Sequence, residues 1–352
     1  MRCRLGESRR CTGGRAHSQC VCLTFDYELF FGQSGTVGRC LLEPTEHILA
    51  LLSQTGHAAT FFVDALLLER LSSVRQEANT YQRVLEQLCR MISRGHRIEL
   101  HLHSSWLDAK YDNGCWVFPH HGHYRLQSLP TTTVTDLLVR GTELLEVVGR
   151  AVSADYKVVA FRAGGWCIQP FGPLKEGFRK AGLVIDSSVA PGLRDRGGVQ
   201  VFDFSHAPSA PLWRFSDDPC VIDLQGSFWE VPISVYRRTW RDRVRTLYYM
   251  KTRREERYGD GTGADGGIQL HSSLFSKLRP YDAILSTDGS SRGLLGRYLR
   301  TGTGGLAVVL NHPKYLLKET GIMSLGECAQ YRSVLLKDVI SLVTSERGRD
   351  ND

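Results

Sequence analysis

Six polar residues sit where short apolar runs give out, and their types suit proton transfer and metal binding. Asp26 and Glu28 lie in the run CVCLTFDYELFF (20–31). They are two apart, so on a strand they share one face. His101 and His103, in HRIELHLHSSW (96–106), repeat that spacing. Arg162 begins an Arg-Ala-Gly-Gly-Trp turn, and His312 follows VVLN. A carboxylate with two imidazoles is a ligand set for zinc or another divalent first-row ion, leaving positions for water and substrate. A second carboxylate beside it can take a proton from water, and a histidine across the pocket can give one to a leaving group. Together they could hydrolyse an amide or an ester.

Each residue also has a plainer reading. An aspartate at a strand end often serves a turn or caps a helix. Alternating histidines can be the polar face of an exposed strand. Arg162 alone reads as a salt-bridging residue, and His312 before Pro313 as an ordinary strand end. The cluster HHGH at 120–123 offers three more imidazoles in a Gly-containing loop, where they read as solvated.

The elements that must position these groups alternate. CVCLTFDYELFF reads as a strand. Pro44 opens a helix, EPTEHILALLSQTG, which Gly56 closes. HAATFFVDA (57–65) is a second strand, and Leu66 to Ser93 reads as helical, stopped by Gly95. HRIELHLHSSW is a third strand. A helix over about 132–150 precedes the strand KVVAFRAGGW (157–166). A helix near 171–181 precedes LVIDSSV (183–189). This alternation fits a parallel sheet or barrel, with polar residues gathered at the C-terminal strand ends, where such folds place their sites. From 190 to 232 the pattern is broken, and DLQGSFWEVPIS reads as β-hairpin material. Residues 236–256 read as a strongly basic helix. YGDGTGADGG (258–267) is a loop without the Gly-Lys-Ser/Thr ending of a phosphate loop. GGLAVVLNHPKYL (304–316) is a last core strand ending at His312.

Composition sets the outer bounds. The chain has 352 residues, 42% of them hydrophobic and 23% charged, enough for one large α/β domain or two ordinary ones. That excludes a wholly disordered chain and a small disulfide scaffold. Lys plus Arg number 44 against 37 Asp plus Glu, a net charge of +7 that is scattered rather than blocked. It permits anionic partners, and no nucleic-acid motif accompanies it. Of the ten cysteines, Cys20 and Cys22 form a single tight pair inside an apolar run, and no second pair completes a zinc set. No apolar core of a signal peptide follows the basic N-terminus, and no apolar stretch is long enough to span a bilayer. These features lead us to expect a cytoplasmic protein with reduced thiols. Its organisation would be a flexible extension over 1–19, one domain over 20–330 with insertions at about 190–303, and a C-terminal helix with a polar tail over 331–352.

Taken in order, LTFDYELFFG (23–32), HAATFFVDA (57–65), GHRIELHLHSSW (95–106), FRAGGWCIQPF (161–171), DSSV (186–189), WEVPIS (229–234) and VVLNHP (308–313) resemble the segments of one enzyme family. This is the polysaccharide deacetylase (NodB-homology, carbohydrate esterase family 4-like) family, in particular its divergent surface-polysaccharide biosynthesis branch. The resemblance implies an irregular, partly open (β/α)7-type barrel with β-hairpin and helical insertions. It makes Asp26 the catalytic base and Glu28 a metal ligand, with Tyr27 where most members carry a second aspartate. His101 matches the first histidine of the second motif. Ser105 stands where the second would be, so His103, on the face of His101, is expected to replace it. Arg162 matches the arginine that orients the base, His312 the general acid, and Asp186 the carboxylate that holds such a histidine in its useful tautomer. Tyr27 (through its backbone N–H), Trp106 and Trp166 fall on the substrate side, and Gly164 with Gly165 permits the turn before Trp166.

The implied activity is metal-dependent removal of an N-acetyl group from an amino sugar or glycoconjugate intermediate, with Zn2+ as the cofactor. Phosphate- or lipid-linked carriers and peripheral membrane contact are compatible with the basic helix. Two alternatives stay open: a degenerate member that binds carbohydrate without hydrolysing it, and a deacylase acting on an ester or cyclic amide.

Overall fold

The computed structural model describes residues 20–242, 244, 248, 256–263, 281–288, 294–301 and 305–349. The expected extension over 1–19, much of the basic helix over 236–256, the loop after 263 and the tail after 349 lie outside the described residues.

The strand β1 (Cys20–Tyr27) is buried along its whole length. Its alternation divides two cores. Val21, Leu23, Phe25 and Tyr27 face one apolar cluster, and Cys20 and Cys22 face the other. The next strands are β2 (Ala59–Asp64), β3 (Arg97–Leu102), β4 (Ala160–Ala163) and β5 (Ile185–Asp186). They are followed by β6 (Trp213–Phe215), β7 (Phe228–Glu230), β8 (Leu306–Asn311) and β9 (Arg332–Ser333). They form one mixed sheet in the order β6-β7-β5-β4-β3-β2-β1-β8, with β9 also beside β1. All pairs are parallel except β6 with β7, an antiparallel pair whose second strand lies in the stretch DLQGSFWEVPIS read as hairpin material.

The sheet curls into a distorted, partly closed (β/α) barrel with flanking helices. Curvature shows in the smaller core, where Cys22, Phe62, Ala160, Ile185, Val231 and Val308 meet, although they come from β1, β2, β4, β5, β8 and the end of β7. These residues plug the floor. Above them, Thr24 and Arg162 form a polar layer, and the carboxylates and imidazoles lie at the strand ends over that. The outer face packs on α1 (Glu43–Thr55), α2 (Ala65–Ser73), α3 (Ala78–Ser93), α4 (Thr131–Arg150) and α5 (Gly172–Ala181). Each fully buried Leu or Phe there contributes about 1.5–3 kcal/mol.

Two boundaries depart from the pattern reading. The helix expected over 66–93 is two helices, because Val74 is extended between them. Ser72 and Ser73 donate back to the carbonyls of Glu69 and Arg70, satisfying those groups locally where the helix ends. The strand expected over 96–106 stops at Leu102, and Ser104–Asp108 turns into a short 3-10 helix. No helix among the described residues is long and apolar enough to cross a membrane.

Candidate metal centre and hydrolytic site

β1 and β3 are separated by β2, and the curl brings their C-terminal ends together. Glu28 Oε2 lies 2.9 Å from His101 Nε2 and 2.5 Å from His103 Nε2. One ligand atom from each of these three buried residues falls within 4.8 Å of the others, a site able to coordinate a divalent metal. His101 Nδ1 lies 2.7 Å from the Arg162 carbonyl, which can only accept, so that nitrogen carries a proton and Nε2 faces Glu28.

The donor set passes a fit test. His103 is buried, yet neither of its ring nitrogens has a hydrogen-bond partner, because the close approach of Nε2 to Glu28 lacks hydrogen-bond alignment. An orphaned buried nitrogen costs about 1–3 kcal/mol, and a cation at Nε2 would remove that cost. Two imidazoles and a carboxylate are also the donors that zinc and its first-row neighbours prefer. The protonation pattern reflects the crowding. Burial works against a charged His101, but its hydrogen bond to Glu28 and the charges of Asp26, Glu28 and Asp64 raise it to about 9. Burial pushes His103 down to about 4 despite Glu28. Burial works against an ionised Glu28 as well, and Lys314, the nearby His103 and the hydrogen bond from His101 outweigh it, holding the carboxyl well below its ordinary range.

Beside the triad, Asp26 Oδ1 accepts from Arg162 Nη1 at 2.7 Å, with both side chains buried. The guanidinium is fixed further by Ser187 O at 2.7 Å, Thr24 Oγ1 and Ser187 Oγ at 3.0 Å, and the Phe62 ring at 4.1 Å. Across the cavity, His312 Nε2 lies 3.6 Å from Asp26 Oδ2 and 3.5 Å from Glu28 Oε1. Its Nδ1 is 2.6 Å from Asp288 Oδ2, and Asp288 Oδ1 accepts from the His312 backbone N–H at 3.0 Å. Burial opposes a charged His312, and Asp288, Asp26 and Glu28 together raise it. These groups line a cavity of about 580 Å³ walled by Phe30, Phe31, Tyr124, Trp166 and Tyr315.

Two sequence expectations, Asp186 and Trp106, need correction. Asp186 does not reach His312: its oxygens engage Ser188 Oγ at 2.7 Å and Ser188 N at 3.2 Å, and it faces Glu230 across the β5–β7 ladder. The Tyr27 side chain, as strand alternation requires, faces the outer core and donates to Gln87 Oε1 at 3.0 Å, which leaves only its backbone N–H for the cavity side. Trp106 is buried among Phe31, Trp116 and Phe118 and donates to Asp64 Oδ2 at 2.6 Å. The turn that ends β3 early swings it there.

Trp166 does line the cavity, in a left-handed conformation (φ 58°) that costs a non-glycine residue energy. Gly164 is required for a different reason: a Cβ there would stand 2.6 Å from Leu102 O and 2.7 Å from His103 Nδ1. The loop histidines stay outside the cavity, and His123 Nδ1 pairs with Asp108 Oδ2 at 2.7 Å. Ser105 Oγ is buried without a partner, and no disulfide joins the described cysteines.

Two residues of the site escaped the pattern reading. Lys314 Nζ donates to Glu28 Oε1 at 2.7 Å and to Leu29 O at 2.9 Å. It sits two residues beyond His312 on a turn whose direction strand periodicity does not encode. Asp288 follows the strand Tyr281–Ile284, inside a stretch read only as insertion. Its signal was an apolar run giving out at Thr-Asp-Gly, the same pattern that flagged Asp26.

No protein-family model matches the chain, and no curated protein matches it. Similar solved structures include a protein assigned as a polysaccharide deacetylase from Mycobacterium smegmatis, 17% identical, with 96% of this chain and 94% of that one covered and a TM-score of 0.49. A family 4 carbohydrate esterase from Streptomyces lividans in complex with acetate is 12% identical, with 89% and 86% covered and a TM-score of 0.38. A CE4 family pseudoenzyme from Bacillus anthracis is 11% identical, with 91% and 65% covered and a TM-score of 0.40. All three likenesses are remote.

Proposed function

We propose that the protein is a metal-dependent hydrolase that removes the N-acetyl group of an amino sugar or glycoconjugate. The observation that carries this reading is the convergence of Glu28, His101 and His103 beside two separately held proton carriers, Asp26 and His312. Glu28, His101 and His103 would hold a divalent ion, Zn2+ by the donor set, and when bound it supplies Lewis-acid polarisation of the acyl carbonyl and a more acidic water.

The chain's own groups divide the remaining work. Asp26, with Oδ1 fixed by Arg162, keeps Oδ2 for the proton of the attacking water. His312, with Nδ1 on Asp288, presents Nε2 toward the same space and delivers a proton to the departing amine. Asp288, Asp26 and Glu28 raise its pKa, which favours the protonated form that a general acid requires. Trp166 and Tyr315 offer aromatic faces that suit the C–H surface of a sugar ring. An O-acetyl ester or cyclic amide presents the same acyl chemistry to these residues.

One observation favours a second reading, carbohydrate binding without hydrolysis. Lys314 already neutralises Glu28, as a metal would. Metal analysis of the purified chain together with acetate release from N-acetylated sugars separates the two. We expect about one bound zinc per chain, with chelation abolishing acetate release. No metal under saturating zinc, with sugar binding intact, would overturn the hydrolase in favour of the binding protein.

A further inference from the structure

Every carboxylate that lines the cavity among the described residues has a positive or N–H partner. Asp26 has Arg162 at 2.7 Å, Glu28 has Lys314 at 2.7 Å, and Asp288 has His312 Nδ1 at 2.6 Å. A further cation lines the same cavity, Arg257, and no carboxylate among the described residues pairs with it. Its Nε donates to the carbonyl of Gly259 at 2.9 Å and Nη2 donates to that of Gly261, while its guanidinium carbon stands 4.9 Å from the centre of the Phe30 ring. These contacts leave Nη1 unengaged among the described residues. The nearest described acids in sequence, Asp260 and Glu256, are used elsewhere. Asp260 accepts from the backbone N–H of Thr36 at 2.9 Å and from its hydroxyl at 3.0 Å, and Glu256 pairs with Lys318 at 2.9 Å.

The side chain is therefore held in place, and no acid among the described residues neutralises it. Backbone carbonyls satisfy hydrogen bonds without cancelling a charge, and a guanidinium fixed by two of them and an aromatic ring has given up its freedom before a ligand arrives. Segment 257–263 that carries it is strapped down as well. Tyr258 N donates to Leu316 O at 3.0 Å, Thr262 N donates to Gln33 O at 2.8 Å, and Gly32 N donates to Thr262 O at 3.0 Å. A fixed, uncompensated guanidinium on an aromatic-walled cavity matches an anionic oxygen group better than any neutral part of a sugar.

We propose that Arg257 forms a subsite for an anionic oxygen group, phosphate or carboxylate, on the substrate that carries the acyl group. This inference rests on the hydrolase reading of the cavity and narrows its substrate class.

Calorimetric binding to the full chain, with and without zinc, tests it. The probes are N-acetylglucosamine, N-acetylglucosamine 1-phosphate and N-acetylmuramic acid, and acetate release is followed in parallel. We expect an anionic probe to bind about tenfold more tightly than the neutral sugar. That ratio should fall toward one in Arg257→Gln, stay intermediate in Arg257→Lys, and shrink in the unaltered protein at about 0.5 M salt. The tighter of the two anionic probes identifies the group. A ratio near one in the unaltered protein overturns the proposal, and so does a preference that survives Arg257→Gln in folded protein. Should Arg257→Gln fail to fold, a salt-insensitive ratio in the unaltered protein overturns it equally. Anion preference without any acetate release would retain the subsite and refute the hydrolase.

Discussion

Replacing Asp26 with asparagine keeps the shape of the side chain and removes its charge. Arg162 is fully buried and would keep its bonds to Thr24 and Ser187, but it would lose its carboxylate. Breaking a buried ion pair from one side costs about 3–5 kcal/mol, and the retained amide oxygen, still able to accept from Nη1, puts this case near about 3. Turnover should fall about 10²- to 10⁴-fold, the range for loss of a positioned base. Zinc affinity should hardly change, because Asp26 lies outside the Glu28–His101–His103 triad. The assay joins urea unfolding, zinc titration calorimetry and acetate release on the same preparations. Loss of zinc together with activity would refute the assignment and exchange the roles of Asp26 and Glu28. Unchanged stability would show that Arg162 does not depend on this pair.

Other perturbations reach other parts of the molecule. In Asp288→Asn, His312 loses its anionic partner, and one of the two acceptors it uses becomes an NH2, so its pKa falls and the alkaline limb of the pH–rate profile moves to lower pH; an unmoved limb would remove His312 from the proton path. Gly164→Ala places a methyl group against Leu102 O and His103 Nδ1, and should cost about 1–3 kcal/mol and weaken zinc binding, read by denaturation and titration. Glu230 is buried, and burial with the facing Asp186 holds its carboxyl well above the ordinary range. Such a group binds its proton more tightly folded than unfolded, so stability drains as pH rises from its unfolded value toward its folded one. Glu230→Gln should therefore raise the melting temperature at pH 8 and leave it nearly unchanged at pH 4; equal shifts at both would contradict a raised Glu230 pKa.

Much of the site could be read from the chain because strand periodicity is local. Asp26 with Glu28, and His101 with His103, share faces by spacing alone, and the curl of the sheet then decides whether the pairs meet. Whether His103 would meet Glu28 beside His101 depended on that curvature, which no alternation pattern carries. The failures lie beyond strand ends. Trp106 follows a 3-10 turn into the core, and Lys314 follows another into the cavity. Asp186 lies at a strand end as expected, but its strand delivers it to Ser188 and Glu230 on the far side of the Arg162 layer. Asp288 was missed because the segment around it has no long periodic element to mark a strand end.

The sheet order has a consequence for how a nascent chain acquires this site. β1 pairs with β2 soon after both emerge, but its other neighbour, β8, comes almost three hundred residues later, and Lys314 closes on Glu28 across a separation of 286. Until then Asp26 and Glu28 have neither His312 nor Lys314 beside them, and Asp26 gains Arg162 only after 136 further residues. Contacts of such separation form slowly, because loop closure must precede their reward. Asp26 and Glu28 therefore acquire their last partners late, and a chain stalled on the ribosome before β8 would hold them without His312 and Lys314.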